Sequence, residues 1–218
     1  MSPASASNES ESGSQATLLD ADAIARVVKR LALEIVEQTG GTERLALVGV
    51  RRGGVPLAKR LADAIATVEG TEVPVGSVDI SLYRDDAATA LPDPKIGPSD
   101  VRFSVDGRDV VLVDDVLQTG RTIRAAIDCL LDYGRPRRIW LAVLCDRGGR
   151  ELPIGADFVG RVLDVDATVK VDVVLEGPGE DRVTVRTRGS LAQPNAQPSA
   201  QPNAQPSASP SEPTEPSR

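Results

Sequence analysis

Two adjacent carboxylates, Asp114 and Asp115, end an apolar run and are followed four residues later by Thr119-Gly120-Arg121-Thr122, in the stretch VVLVDDVLQTGRT (Val110–Thr122). A buried strand that ends in paired negative charge needs a partner for that charge, because an isolated buried carboxylate is costly. In an open parallel sheet, ligands bind outside the carboxyl ends of the strands, which is where this pair would lie. The Thr-Gly-Arg-Thr segment would open the next helix, where free N–H groups, two hydroxyls and the helix dipole suit a phosphate. Carboxylates that accept hydrogen bonds from sugar hydroxyls, just ahead of a phosphate cradle, describe a site for a ribose 5-phosphate. Two other roles stay open at this point: direct binding of Mg²⁺ by the acidic pair, and plain helix capping by one aspartate. A Walker A loop is excluded, since the segment lacks both its first glycine and its lysine.

A second group supplies cations. Arg51 and Arg52 follow an apolar run and precede Gly53-Gly54, so their loop can wrap a diphosphate with guanidinium forks and backbone amides. In isolation, two such arginines would equally suit a solvated turn. A third candidate is Arg84, in SLYRDD, at the edge of a Pro-, Gly- and Asp-rich stretch (Asp85–Asp100) that reads as a mobile loop able to exclude water on closing.

The elements that must position these groups follow from the apolar periods. Ile24, Val27, Val28, Leu31 and Ile35 have helical spacing between an Asp20 start and a Gly40-Gly41 stop. LALVGV (Leu45–Val50) reads as a buried strand and Val55–Ala66 as the helix after it. VPVGSVDISLYR alternates and predicts a strand ending near Tyr83. A strand at Val110–Val113, a helix from Gly120 to Leu131 and a strand in RIWLAVLC come next. Phe158–Val162, Val169–Leu175 and Val183–Val185 read as short strands of a flap or an antiparallel edge. This alternation implies an α/β fold, a mostly parallel twisted sheet flanked by helices, with a small hood.

Composition bounds the function. The 218 residues contain no histidine, which removes Ser-His and Cys-His nucleophilic catalysis and His-ligated zinc. Cys129 and Cys145 fit no metal spacing and read as buried thiols of a reduced, cytoplasmic protein. The first sixteen residues lack the apolar run of a signal peptide, and no stretch approaches the roughly 20 apolar residues of a membrane span. A net charge of −7 argues against non-specific nucleic-acid binding. QPNAQPSA occurs twice in the Pro-, Ser- and Ala-rich end, which cannot bury enough apolar surface to order itself. The expected organisation is a disordered segment 1–17, one domain at 18–188 and a disordered tail 189–218.

Together these motifs carry a resemblance. VVLVDDVLQTGRT resembles the phosphoribosyl-pyrophosphate (PRPP) motif of type I phosphoribosyltransferases, and GVRRGGVPLAKRLA (Gly49–Ala62), LYRDD (Leu82–Asp86) and DRGGRELPIGADFVG (Asp146–Gly160) resemble the pyrimidine-operon attenuation regulators that are also uracil phosphoribosyltransferases. The match runs from about Leu18 to Gly160, in order. The resemblance implies conversion of uracil and PRPP to UMP and diphosphate. It assigns the ribose 5-phosphate to the loop Val116, Leu117, Gln118, Thr119, Gly120, Arg121 and Thr122, and the diphosphate to Arg51, Arg52, Gly53 and Arg84. Asp114 and Asp115 would hold the ribose hydroxyls and, largely through water, Mg²⁺. The family's members self-associate, so a homo-oligomer, a dimer or larger, is implied. A purine-base transferase of the same fold, or a nucleotide-sensing RNA regulator with little catalysis, are the alternatives.

The resemblance also implies leader RNA as a partner, with Lys29, Arg30, Arg150 and Arg161 as contacts. Arg26, Arg135, Arg137, Arg138 and Arg147 could extend such a basic patch. Here the chain departs from the pattern: Leu33 and Gly149 stand where the family usually has histidine, and Gly155 where arginine is common. Only five aromatic residues exist, and none lies within the basic clusters, whereas specific RNA recognition leans on stacking. Weak RNA binding is therefore expected.

Overall fold

The computed structural model describes residues 15–81, 83, 99–166, 168–177 and 179–186. The expectations for Arg84, for all but the end of the 85–100 loop and for the repeated tail lie outside the described residues.

Helix α1 (Ala21–Thr39) begins where the Asp20 carboxylate accepts the Ala23 N–H at 2.8 Å and stops at Gly40, whose φ of 74° turns the chain into the left-handed region. The Gly41 N–H then donates to the Val36 carbonyl at 3.0 Å, closing the helix end. Ile24, Val28, Leu31 and Ile35 are buried on its inner face. Strand β2 (Leu45–Val50) is buried throughout and leads into α2 (Gly54–Glu69). The chain continues through β3 (Val75–Val78), β4 (Asp109–Leu117), α3 (Arg121–Leu131), β5 (Arg138–Asp146) and β6 (Phe158–Val162). β7 (Lys170–Val174) and β8 (Arg182–Arg186) follow, and the short strand β1 (Gln15–Leu19) precedes α1.

Five strands form a parallel sheet in the order β3-β2-β4-β5-β6. β2 comes first in sequence, β3 is added on one side and β4 on the other. The order therefore reverses between β2 and β4, and a crevice opens at their carboxyl ends. Alternate residues of β4 face opposite layers: Val111 and Val113 pack with α1 and α2, Val110 and Leu112 with α3.

Two strands differ from the sequence expectation. β3 stops at Val78 instead of running to Tyr83, because Asp79 leaves the ladder and its carboxylate accepts both the N–H and the hydroxyl of Ser81. That local turn competes with strand pairing. β4 is longer than Val110–Val113 and contains both aspartates. Its pairing with β2 ends at Gly49↔Val113, but pairing with β5 continues through Asp114↔Val143 to Leu117↔Asp146.

The late strands do form an antiparallel sheet, in the order β1-β8-β7, whereas Phe158–Val162 joins the parallel sheet as β6. β1 takes in Gln15–Thr17, which composition alone places in the leading segment; Gln15 pairs with Arg186 from the far end of the chain. This small sheet buries Leu19 and Val183 in the core formed by α1 and α2. Arg60 of α2 donates both terminal nitrogens to the buried Asp181 carboxylate, which fixes the β7–β8 connection. That partner holds Asp181 below the usual carboxylate range. No described helix is long and apolar enough to cross a membrane.

Candidate active site

The crevice at the reversal point has a volume of about 370 Å³ and is lined by Arg51, Arg52, Gly53, Asp79, Ser81, Asp114, Asp115, Val116 and Thr122. Beside it lies a second cavity of about 540 Å³, formed by residues 116–123 with Arg147, Glu151, Lys170 and Val171. The two share Val116 and Thr122, so the acidic pair stands between the arginine loop and the phosphate loop.

Gly53 and Gly54 allow this approach. A Cβ on Gly53 would fall 2.0 Å from Asp115 Oδ2, and one on Gly54 would fall 2.0 Å from the Val113 carbonyl oxygen. The arginine loop therefore lies directly on the end of β4. The Arg51 N–H is fixed by the Val78 carbonyl at 3.0 Å, and Arg51 Nε is buried without a hydrogen-bond partner among the described residues. An anionic ligand would satisfy it.

Asp114 is 5% exposed and Asp115 half-buried. Burial raises the Asp114 carboxyl well above the usual carboxylate range, and the charge of Asp115 adds to the effect. The Asp115 N–H donates to Asp114 Oδ1 at 3.0 Å and the Val116 N–H to Asp115 Oδ1 at 2.8 Å. The two carboxyl groups also share a side-chain hydrogen bond, a lesser cause of the rise at Asp114. Below them, burial pushes the Cys145 thiol up to about 12, with Asp115 the next cause, so this sulfur stays an inert thiol.

On the phosphate side, Gly120 takes a φ of 89° and precedes α3 without a side-chain cap. The Arg121 N–H donates to Thr119 Oγ1 at 3.3 Å, and the N–H groups of Thr122 and Ile123 at the same helix start suit an anion. The Arg121 Nε donates to Glu151 at 2.6 Å across the mouth of the cavity.

The fold thus brings together Arg51, Arg52, Gly53, Asp114, Asp115 and the loop Val116–Thr122, while Arg84 lies outside the described residues. Asp79 and Ser81 also line the crevice; sequence reasoning placed them inside a strand, although Asp-x-Ser is a turn signal. Lys170 reaches the second cavity from β7, a long-range placement with no local sign.

The residues read as RNA contacts are arranged differently. Arg30 donates to the carbonyls of Val159 (3.0 Å) and Gly160 (2.7 Å) and to Glu34. Arg150 is three-quarters buried and donates to the Gln118 and Ile154 carbonyls and to Asp146. These bonds tie both guanidinium groups to the fold, while Arg30 stays exposed at the surface. Lys29 and Arg161 are exposed.

A phosphoribosyl transferase domain family model matches residues 14–176. The bifunctional protein PyrR of Pelotomaculum thermopropionicum is 54% identical over 172 residues, covering 78% of this chain and 95% of that protein. The bifunctional protein PyrR of Thermus thermophilus is 53% identical over 175 residues, covering 80% and 97%. Among solved structures, the hypoxanthine phosphoribosyltransferase of Trypanosoma cruzi in complex with the product IMP aligns with a TM-score of 0.60 at 22% identity, covering 85% of this chain and 100% of that one. That last likeness shows the fold alone. By the family match and these relatives, the chain belongs to the phosphoribosyl transferase domain family and, within it, to the bifunctional PyrR proteins.

Proposed function

We propose that the chain transfers the ribose 5-phosphate of PRPP to uracil, giving UMP and diphosphate. The observation that carries this reading is the position of the Asp114–Asp115 pair between an arginine-glycine loop and the glycine-led start of α3, at the reversal point of a parallel sheet. A bond forms from uracil N1 to the sugar C1, the C1–O bond to diphosphate breaks with its electron pair leaving on diphosphate, and the N1 proton is released. Positive charge develops on the ring and negative charge on the leaving group. Asp114 and Asp115 hold the ribose hydroxyls and offset the ring charge. Arg51 and Arg52, with the backbone at Gly53, hold the diphosphate, and residues 116–122 hold the 5′-phosphate. Two adjacent carboxylates lining the crevice fit Mg²⁺ bound through water and phosphate oxygens, and among the described residues no cluster of three acidic or sulfur ligands competes for it. When bound there, Mg²⁺ would neutralise the diphosphate as charge builds on it.

The test is a panel of free bases incubated with PRPP and Mg²⁺, with nucleotide detection. UMP is the expected product, formed only with a divalent cation. A purine nucleotide in its place would move the assignment to a purine-base transferase.

A second reading follows from membership among proteins named bifunctional. It is pyrimidine-responsive binding of leader RNA by a cytoplasmic homo-oligomer, weakened by Leu33, Gly149 and Gly155. Gel-shift titration with the leader RNA of its own pyrimidine genes, with and without UMP, tests it. Sedimentation velocity tests the assembly.

A further inference from the structure

The phosphate loop is held from outside by one short segment. The Arg147 N–H donates to the Leu117 carbonyl at 3.1 Å, Arg150 Nη1 to the Gln118 carbonyl at 2.8 Å, and the Glu151 and Leu152 N–H groups to the Thr119 carbonyl at 3.0 and 3.1 Å. Three consecutive carbonyls are therefore all taken by residues 147–152. In a trans peptide the C=O and N–H bonds point in opposite directions. Fixing those three oxygens turns the N–H groups of Gln118, Thr119 and Gly120 away from the segment, where a bound phosphate can meet them.

Of the three anchors, the middle one is a side chain. Arg150 also donates Nε to the Ile154 carbonyl at 2.8 Å and Nη2 to the Asp146 carboxylate. A planar fork with donors on several edges can tie three chain positions at once. Gly120 completes the fit, since a Cβ there would lie 3.3 Å from Ile154 Cβ and 3.4 Å from Leu152 Cβ.

We propose that Arg150 is a positioning residue for the phosphate loop, setting the affinity for the 5′-phosphate of PRPP and of the nucleotide product without touching either. This role rests on the function proposed above. It differs from an RNA contact, since Arg150 is three-quarters buried and gives Nε, Nη1 and Nη2 to Ile154, Gln118 and Asp146.

The test uses the full chain with Arg150→Ala and Arg150→Lys, the second keeping charge and bulk while losing the fork. Calorimetric titration with PRPP plus Mg²⁺, and separately with UMP, should show dissociation constants raised about tenfold or more in both variants, the scale of losing charge-assisted hydrogen bonds. KM for PRPP should rise likewise, while KM for uracil stays within about twofold and kcat within about threefold. Amide exchange in ligand-free protein should quicken at Gln118–Gly120 in both variants. Wild-type affinity for PRPP in Arg150→Lys, or unchanged exchange at those amides, would overturn the role. A wild-type chain that binds no PRPP would remove the assigned function and this role with it, an outcome visible in the wild-type titration alone.

Discussion

At the carboxyl ends of β2 and β4 the polar groups face a crevice, whereas on the face made by α1 and the end of β6 the charges stand at the surface and one of them, Arg30, is tied back to the fold. In the crevice, Arg51 Nε is buried without a hydrogen-bond partner among the described residues, and Asp114 and Asp115 line the same opening. On the other face, Arg30 is bound to Val159, Gly160 and Glu34, while Leu33 is 52% and the nearby Val68 56% exposed. Both regions look charged in the sequence. Only one holds its charges as a ligand would require, and the difference lies in backbone carbonyls contributed by distant residues.

The largest effect that can break this contrast is loss of the acidic pair. Asp114→Asn with Asp115→Asn should lower UMP formation by about 10²-fold or more, the scale of removing a preorganised electrostatic group. Full turnover in the double variant would detach the crevice from the chemistry.

Gly53→Ala follows. Its Cβ would meet Asp115 Oδ2 at 2.0 Å, so either the arginine loop or the carboxylate must move. Turnover should fall about tenfold, because small displacements of positioned groups are costly in rate. Stability should drop by about 1–3 kcal/mol, the scale of overpacking. Steady-state kinetics and urea unfolding read the two effects. An unchanged kcat/KM would mean the close approach serves packing alone.

The sequence carried the crevice further than the basic face, for a physical reason. Asp20, Gly40 and the run Leu45–Val50 act locally, through caps and burial, and the elements formed where those signals stand. The acidic pair and the glycine loop were likewise readable, because their roles depend on neighbours a few residues away. What was hidden depends on partners far along the chain. The turn at Asp79, the pairing of Gln15 with Arg186, Lys170 beside the phosphate loop and the inward fork of Arg150 are of this kind. A lone arginine in a sequence shows its charge but not what its donors have met.

Asp181 sharpens the same lesson, as a charge wholly taken up inside the fold by Arg60 and the Gly177 N–H. Its folded carboxyl is held below the ordinary value of 3.8, chiefly by the Arg60 hydrogen bonds. The stabilisation is therefore present above that value and is lost as pH falls below it toward the folded pKa. Asp181→Asn should cost about 2 kcal/mol near neutrality, as for hydrogen bonds to a charged group. The gap from wild type should narrow in acid. Urea titrations at neutral pH and near pH 3 measure this. A gap that does not change with pH would place the cost in packing instead of charge.

The smallest effect expected is on the α1–β6 face itself. Lys29, Arg30 and Arg161 are the exposed members of the residues read as RNA contacts, Arg30 being also tied to the Gly160 carbonyl, whereas Arg150 is three-quarters buried. Three cations at the surface of a chain with net charge −7 can neutralise few phosphates. Each phosphate contact contributes close to one unit to the salt slope of binding, so the slope should be shallow. Affinity for leader RNA should sit near the non-specific range of roughly 10⁻⁴ to 10⁻⁶ M at physiological salt, taking the DNA scale as guide. Lys29→Ala with Arg161→Ala should then weaken it by about threefold at most, and UMP should change it little. A gel-shift series across salt concentrations is the measurement. Nanomolar binding that UMP strengthens and the double variant abolishes would show that these exposed cations, joined by a second copy of the chain, form the surface the single chain lacks.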